Sequence, residues 1–391
     1  MSKAAADTTR RDLMLGAVAS ALASSAAFAT PPADVELDAF LREQMRRSGS
    51  PAMAVGLARG GVVLWSKAFG EADLTRRRAT TNSMFHIASV TKPVIATGIA
   101  MLAEEGRLDL DAPVSRHLDL SVANPAHPDV AITARQLLTH TSSISDETYY
   151  AVDFRTRGAA TPLGLREFLA SYLAPGGSHY SARGSYSTAR PGGAYDYSNV
   201  GYGLLGYIAG RAAGVDFRTY LSRRLFSRLG MRQTAWKPAD VPAPRRVVPY
   251  EEEGGRLSPL EPVSFPDWSA GMLRISISSF MPFMAASANG GVFEGTRMIG
   301  ADALARMLVM CKPDGLPAWL TGQGIGWMES ADGGRPHINH WGGDPGVFTA
   351  AYLAPATTTG AAIFLNTSAT SESKAAVKAI AARLLDFPAS A

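Results

Sequence analysis

The chain has 391 residues, 46% of them hydrophobic and 18% charged, with aromatic residues spread along its length, which suits a packed globular protein and argues against disorder. Lysine and arginine number 38 and aspartate and glutamate 34, and a net charge of +4 is too small over this length to create a field that attracts nucleic acid. The single cysteine, Cys311, excludes an intrachain disulfide; no paired Cys/His spacing suits a structural zinc, and no metal or organic cofactor is implied.

At the N-terminus Arg10-Arg11 precedes an apolar stretch from Leu13 to Phe28 that ends in Ala27-Phe28-Ala29. This is the pattern of a cleavable twin-arginine export signal over residues 1–29, leaving a mature chain 30–391 in a bacterial periplasm or medium. The stretch falls short of the roughly 20 apolar residues that span a bilayer, so no membrane span is expected to persist.

A helix is predicted from Ala33 to Arg47, then a hairpin of Ala52–Ala58 and Val62–Phe69 joined through Arg59-Gly60-Gly61. Arg76-Arg77-Arg78 reads as a solvated turn. The run Pro93–Glu105 is apolar on nearly all sides, which predicts a buried helix; Thr133–Leu138, Gly201–Ala213 and Phe217–Leu229 read as further helices. Lys237–Asp267, rich in Pro, Gly and Glu, reads as a loop bordering the site. Gly324–Met328, Val347–Leu353 and Ala361–Leu365 read as strands and Ser371–Leu385 as a helix. The expected layout is α/β (α+β): one antiparallel sheet built by both chain ends and flanked by helices, with a mostly helical region of about residues 105–265 inserted between them.

Ser89-Val90-Thr91-Lys92 opens the predicted buried helix and puts Ser89 and Lys92 one turn apart on one face. A serine hydroxyl needs a neighbouring base, and a lysine can be that base when burial lowers its pKa. The same spacing at Ser371 and Lys374 lies among Ser, Glu and Thr and reads as a helix cap. Tyr197-Ser198-Asn199 follows the turn Pro191-Gly192-Gly193: a phenol can relay a proton to a leaving group, and the Asn amide can hold a substrate carbonyl or orient Lys92. The competing Ser287-Ala288-Asn289 ends a helix against Gly290-Gly291. His340-Trp341-Gly342-Gly343, by itself a turn before the strand near Val347, offers a close backbone approach and an N–H to complete an oxyanion hole with the N–H of Ser89. His337 and His340 are oddly spaced in an extended segment, so they do not share a metal.

Taken together, and extended through Phe85 to Lys92, Ile132 to Ser143, Pro191 to Gly206, Leu229 to Thr234 and Gly324 to Asn366, these motifs resemble the class C beta-lactamase group, which includes D-alanyl-D-alanine carboxypeptidases, D-aminopeptidases and family VIII carboxylesterases. The resemblance implies a beta-lactamase/transpeptidase-like fold, Ser89 as nucleophile, Lys92 and Tyr197 as base and proton relay, Asn199, His340 and Trp341 as substrate contacts, and Gly343 with Ser89 as oxyanion donors. The third motif departs from the Lys-Thr-Gly of true beta-lactamases: His340 carries little charge near neutral pH and Trp341 lacks a hydroxyl. Trp-Gly-Gly is similar to family VIII esterases and His-x-Gly to some carboxypeptidases. Ser143 stands where relatives usually carry Gly.

The expectation is therefore a serine hydrolase acting through an acyl-enzyme on a small ester, amide, lactam or peptide, with esters preferred and oligomeric state open. Beta-lactamase or D-alanyl-D-alanine carboxypeptidase activity, or a penicillin-binding or cell-wall-binding module without turnover, are the alternatives. A Gly-x-Ser-x-Gly elbow is absent: Asp267-Trp268-Ser269-Ala270-Gly271 lacks its first glycine.

Overall fold

A computed structural model describes residues 35–387 except 159, 255, 333 and 334; the expected export signal and its cleavage site lie outside the described residues. The first two apolar runs pair antiparallel as β1 (Ala52–Arg59) and β2 (Val62–Gly70). Near the other end, β3 (Leu320–Gln323), β4 (Met328–Asp332), β5 (Arg335–Asp344), β6 (Val347–Ala354) and β7 (Thr359–Leu365) form a meander. β7 then closes on β1, with Met53 opposite Leu365, giving one seven-stranded antiparallel sheet in the order β3-β4-β5-β6-β7-β1-β2.

Helices α1 (Val35–Arg47), α4 (Ile277–Ala288) and α5 (Ser371–Leu385) cover it, and α2 (Thr91–Glu104) packs against α3 (Asn199–Ala213). Period-two alternation sends Met53, Val55 and Leu57 of β1 and Ile363 and Leu365 of β7 into a layer shared with Leu41 of α1 and Val377, Ile380 and Leu384 of α5. The intervening Ala52, Ala54 and Ala58 face the larger core on the opposite side. Small residues there let α4 lie close: a β-carbon at Gly56 would meet the Met281 sulfur at 2.4 Å. Every residue of α2 from Thr91 to Leu102 is buried, as its all-round apolar sequence requires.

Three element boundaries differ from the sequence reading. Gly324–Trp327 is not strand but the turn between β3 and β4, and only Met328 joins β4; Gly326 takes φ +73° and a β-carbon there would sit 2.3 Å from that of Ala96, so this glycine admits α2. Phe217–Leu229 is helical to Phe226, with α geometry to Leu221 and the wider π geometry over Ser222–Phe226. The stretch 237–267 is not structureless: it carries a hairpin of Tyr250–Glu253 with Arg256–Pro259. Among the described residues, no helix is long and apolar enough to cross a membrane, and no cluster of His, Cys, Asp and Glu could hold a metal ion.

Candidate active site

Ser89, expected to open the helix, lies in the 3-10 turn Ala88–Val90 that leads into α2, which begins two residues later at Thr91. Ala88 is held at φ +44°, a left-handed conformation that costs a non-glycine residue about 1–3 kcal/mol. The Ile87 carbonyl just before it accepts the Thr349 hydroxyl of β6 at 2.7 Å. The serine is thereby tied to both the helix and the sheet.

Lys92 is fully buried, and all three donors of its ammonium group are placed: on Ser89 Oγ at 3.1 Å, Asn199 Oδ1 at 2.8 Å and the Ala270 carbonyl at 2.7 Å. Burial pushes its pKa down to about 7, against the opposing pull of Asp146 and Asp267. The lysine is therefore poised to exchange a proton near neutrality. Its ammonium also lies 4.8 Å from the centre of the Tyr197 ring and 5.3 Å from that of Tyr202.

The Tyr197 phenol shares the cleft with Ser89, and burial holds it well above the ordinary tyrosine range, so it keeps its proton at neutral pH. His140 fixes the ring, stacked on it with centroids 4.2 Å apart, while the His140 Nδ1 accepts the Ser198 N–H at 3.1 Å. That bond leaves the proton on Nε2, and burial keeps the imidazole neutral. Ser198 caps α3 by accepting the Gly201 N–H at 2.9 Å. The motif's odd positions, Tyr197 and Asn199, thus face Lys92 and Ser89 while its middle residue starts the helix. Asn199 also donates to the Tyr150 hydroxyl at 3.0 Å, so both ends of its amide are engaged. Its place is that of a residue orienting Lys92; a substrate carbonyl would have to displace Tyr150.

The third motif is where the structure departs most from expectation. His340-Trp341-Gly342-Gly343 is not a turn but the end of β5. β4 pairs with β5 only as far as Asn339, so among the described residues the outer edge of β5 from His340 to Asp344 has no strand beside it. Alternation sends the His340 ring inward, where it is 1% exposed and its Nδ1 donates to the Trp341 carbonyl at 2.8 Å. Burial and the nearby Lys92 push its pKa down to about 3. The expected role of His340 as a substrate contact is corrected on this ground: its side chain is hidden behind the strand and carries no charge. Gly342 packs against the nucleophile turn, and a β-carbon there would stand 2.4 Å from the Ile87 carbonyl and 2.9 Å from the Ser89 nitrogen. Gly343 faces the open cleft.

That cleft, of about 380 Å³, is lined by Ser89, Tyr197, Asn199, Trp341 and Gly343 together with residues the sequence reading did not single out. The Trp341 indole donates to Tyr352 Oη at 2.9 Å and stacks on the half-exposed Trp319, centroids 5.7 Å apart. Arg155 also lines the cleft, already paired with Asp344 at 2.9 Å and Asp153 at 2.8 Å. Lys374 of the second Ser-x-x-Lys reaches the rim; its helix is capped by Thr370, and Ser371 only meets Glu372. Buried Asp146, Asp267 and His140 were likewise missed, because a lone polar residue in an irregular segment carries no periodic signal.

Penicillin-binding protein 4* of Bacillus subtilis (strain 168) is 32% identical over 178 residues, 45% of this chain and 36% of that protein, so the match spans little more than a third of the relative's length. The octameric penicillin-binding protein homologue from Pyrococcus abyssi superposes with a TM-score of 0.73 at 23% identity, over 90% of this chain and 77% of that one. EstCE1, a hydrolase with promiscuous acyltransferase activity, superposes at 0.71 with 16% identity, over 88% and 97%. These likenesses establish the beta-lactamase/transpeptidase-like fold. Residues 37–385 match the beta-lactamase family model, and the chain belongs to that family.

Proposed function

We propose that this protein is a serine hydrolase that works through an acyl-enzyme and prefers carboxylic esters. Ser89 Oγ attacks the ester carbonyl while its proton passes to neutral Lys92, the one group beside it whose pKa lies near neutrality. The developing oxyanion is held by the backbone N–H groups of Ser89 and Gly343. As the carbonyl re-forms and the C–O bond breaks, Tyr197 donates its proton to the leaving alkoxide and is replenished from the Lys92 ammonium. Water then attacks the acyl-serine, gives its proton to Lys92, and the serine leaves with that proton as the acid is released.

The preference for esters rests on the wall that β5 presents. Trp341, stacked on Trp319, offers apolar surface to an acyl or alcohol group, and the motif places neither a cation nor a hydroxyl in the cleft. A charge-assisted contact to a substrate carboxylate is worth roughly 1.5–3 kcal/mol, so its lack costs an acid-bearing lactam about one to two orders of magnitude. The test compares kcat/KM for a p-nitrophenyl ester and a chromogenic cephalosporin. The ester should lead by about tenfold or more, and a parent enzyme that favours the cephalosporin overturns the preference.

Lys374 at the cleft rim favours a second reading, in which it receives the carboxylate of a lactam or D-peptide. In that case Lys374→Ala would depress turnover of the acid-bearing substrate and leave the ester untouched. Persistent labelling of Ser89 by a fluorescent penicillin, without release, would instead identify a non-turnover penicillin-binding module.

A further inference from the structure

Two carboxylates, Asp146 and Asp267, are almost wholly buried beside Lys92, and neither touches it. Each residue is linked to the lysine through one of its acceptors, Asp146 by its carboxylate and Asp267 by its main-chain carbonyl. Asp146 Oδ2 accepts the Asn199 N–H at 2.6 Å, and Asn199 Oδ1 accepts from Lys92. The Asp267 carbonyl accepts the Ala270 N–H at 2.8 Å, and the Ala270 carbonyl accepts from Lys92. The wiring therefore differs, since the Asp267 carboxyl is not part of its path, and so do the surroundings of the two carboxyls.

Asp146 sits at the N-terminus of α3 with three donors on it: Asn199 N–H, Val200 N–H at 3.2 Å and the Ser198 hydroxyl at 2.8 Å. Two backbone donors and the positive end of a fifteen-residue helix hold an anion well. Asp267 receives the Tyr149 hydroxyl at 3.2 Å on Oδ1, and its Oδ2 has no hydrogen-bond partner. A buried carboxylate with one oxygen unsupported is the costlier of the two to ionise. Burial raises both, Asp146 to about 6 and Asp267 to about 7, and for Asp267 the neighbouring Asp146 charge adds to the push. The other titratable groups facing Lys92 are His140 and His340, both neutral, and Tyr197 and Tyr202, both protonated.

We propose that Asp146 is the principal counter-anion of the Lys92 ammonium, a positioning residue acting through Asn199, while Asp267 is the more protonated of the two and adds less charge. The inference rests on the assignment of Lys92 as base. When the Ser89 proton moves to Lys92, the lysine passes from neutral to cationic, and Asp146 supplies the main compensating charge beside this buried side chain. No bond to Asp146 forms or breaks.

The test follows Lys92 itself, by carbon NMR of protein labelled at the lysine ε-carbon, in the parent, Asp146→Asn and Asp267→Asn. Loss of the anion in Asp146→Asn should lower the Lys92 midpoint by about half a unit or more, and the acidic limb of kcat/KM should move with it while KM holds. Asp267→Asn should lower the midpoint by clearly less. No shift in the first variant, or an equal shift in both, overturns the proposal. Because an amide opposite the Asn199 N–H strains the cap, the aspartate carboxyl carbons of the unaltered protein give the second reading. Near neutral pH Asp146 should be the more ionised; the reverse order, or two fully ionised carboxylates, defeats the proposal. Neither NMR measurement needs turnover, so an inactive parent would count against the hydrolase reading alone.

Discussion

Replacing Gly342 by alanine should damage the enzyme far more than the same change one residue later. The new methyl group would stand 2.4 Å from the Ile87 carbonyl, 2.6 Å from Thr349 Oγ1 and 2.9 Å from the Ser89 nitrogen, and two of those three atoms are backbone. Restoring an ordinary separation of roughly 3.5 Å to the closest of them requires about 1 Å of movement between β5 and the serine turn. Overpacking of this kind costs about 1–3 kcal/mol, which at roughly 2–4 °C per kcal/mol or less for a large domain lowers Tm by a few degrees. The kinetic effect should be larger, since a 1 Å misplacement of reacting groups can cost on the order of 10²-fold. At Gly343 a β-carbon would meet only the Ala369 methyl at 3.8 Å, so Gly343→Ala should keep the parental Tm. Calorimetry and ester kcat/KM on both variants check this. A Gly342→Ala enzyme with parental Tm and parental kcat/KM would refute the claim that β5 and the nucleophile turn are in rigid contact.

Ser89→Ala should lower turnover by on the order of 10⁵ without loss of folding, read from ester kinetics and circular dichroism. Lys92→Ala with Tyr197→Phe should lose little more than the worse single change, because the two serve one proton path; fully additive losses would break that link. The acidic limb of kcat/KM should fall near pH 7, since Lys92, lowered to about 7 by burial, must lose its proton to act as base. His340, lowered to about 3, should show no ring titration by proton NMR between pH 5 and 8, so acid will not make it a cation for lactams. Ser143, held at φ +66° with its hydroxyl accepting from Asn124 at 2.8 Å, supports a paired test. Ser143→Gly trades relief of about 1–2 kcal/mol of left-handed strain against a lost hydrogen bond of about 1 kcal/mol and should be near neutral. Ser143→Ala keeps the strain and loses the bond, so urea unfolding should rank it the less stable.

The elements with strong periodicity were legible in the chain alone. β1 and β2 with their Gly60-Gly61 link, β6, β7 and the span Ser371–Leu385 fall where alternation or helical spacing put them. Ser89, Lys92, Tyr197 and Asn199 also converge as their motifs required, because each motif is anchored at a helix start whose direction is fixed. What escaped was set by long-range packing. The inward face of His340 follows from strand parity, which a reading of its motif as a turn could not use. Asp146 and Asp267 owe their effect to burial beside Lys92, and Trp319 to its stack on Trp341 from another strand's approach; none of these contacts has a local sequence mark. The left-handed Ser143 was visible only as an oddity, and its explanation is the Asn124 amide, nineteen positions upstream.

The closure of β7 on β1 has a consequence for how the chain is made. The hydrogen bond between Ser50 and Asn366, at the end of that pairing, joins positions 316 residues apart. At roughly 5–20 residues per second, β1 emerges about 15–60 s before the strand that covers its edge exists. Throughout that interval an apolar β-edge of Met53, Val55 and Leu57 has only β2 as a neighbour, the arrangement most prone to pairing with another chain. Because β5 and β6, which brace the serine turn, arrive in the same late stretch, no N-terminal fragment can assemble the nucleophile. Nascent chains should therefore depend on a chaperone that shields this hairpin, and their yield should fall with slower translation of residues 300–365 more than with slower translation of the helical middle.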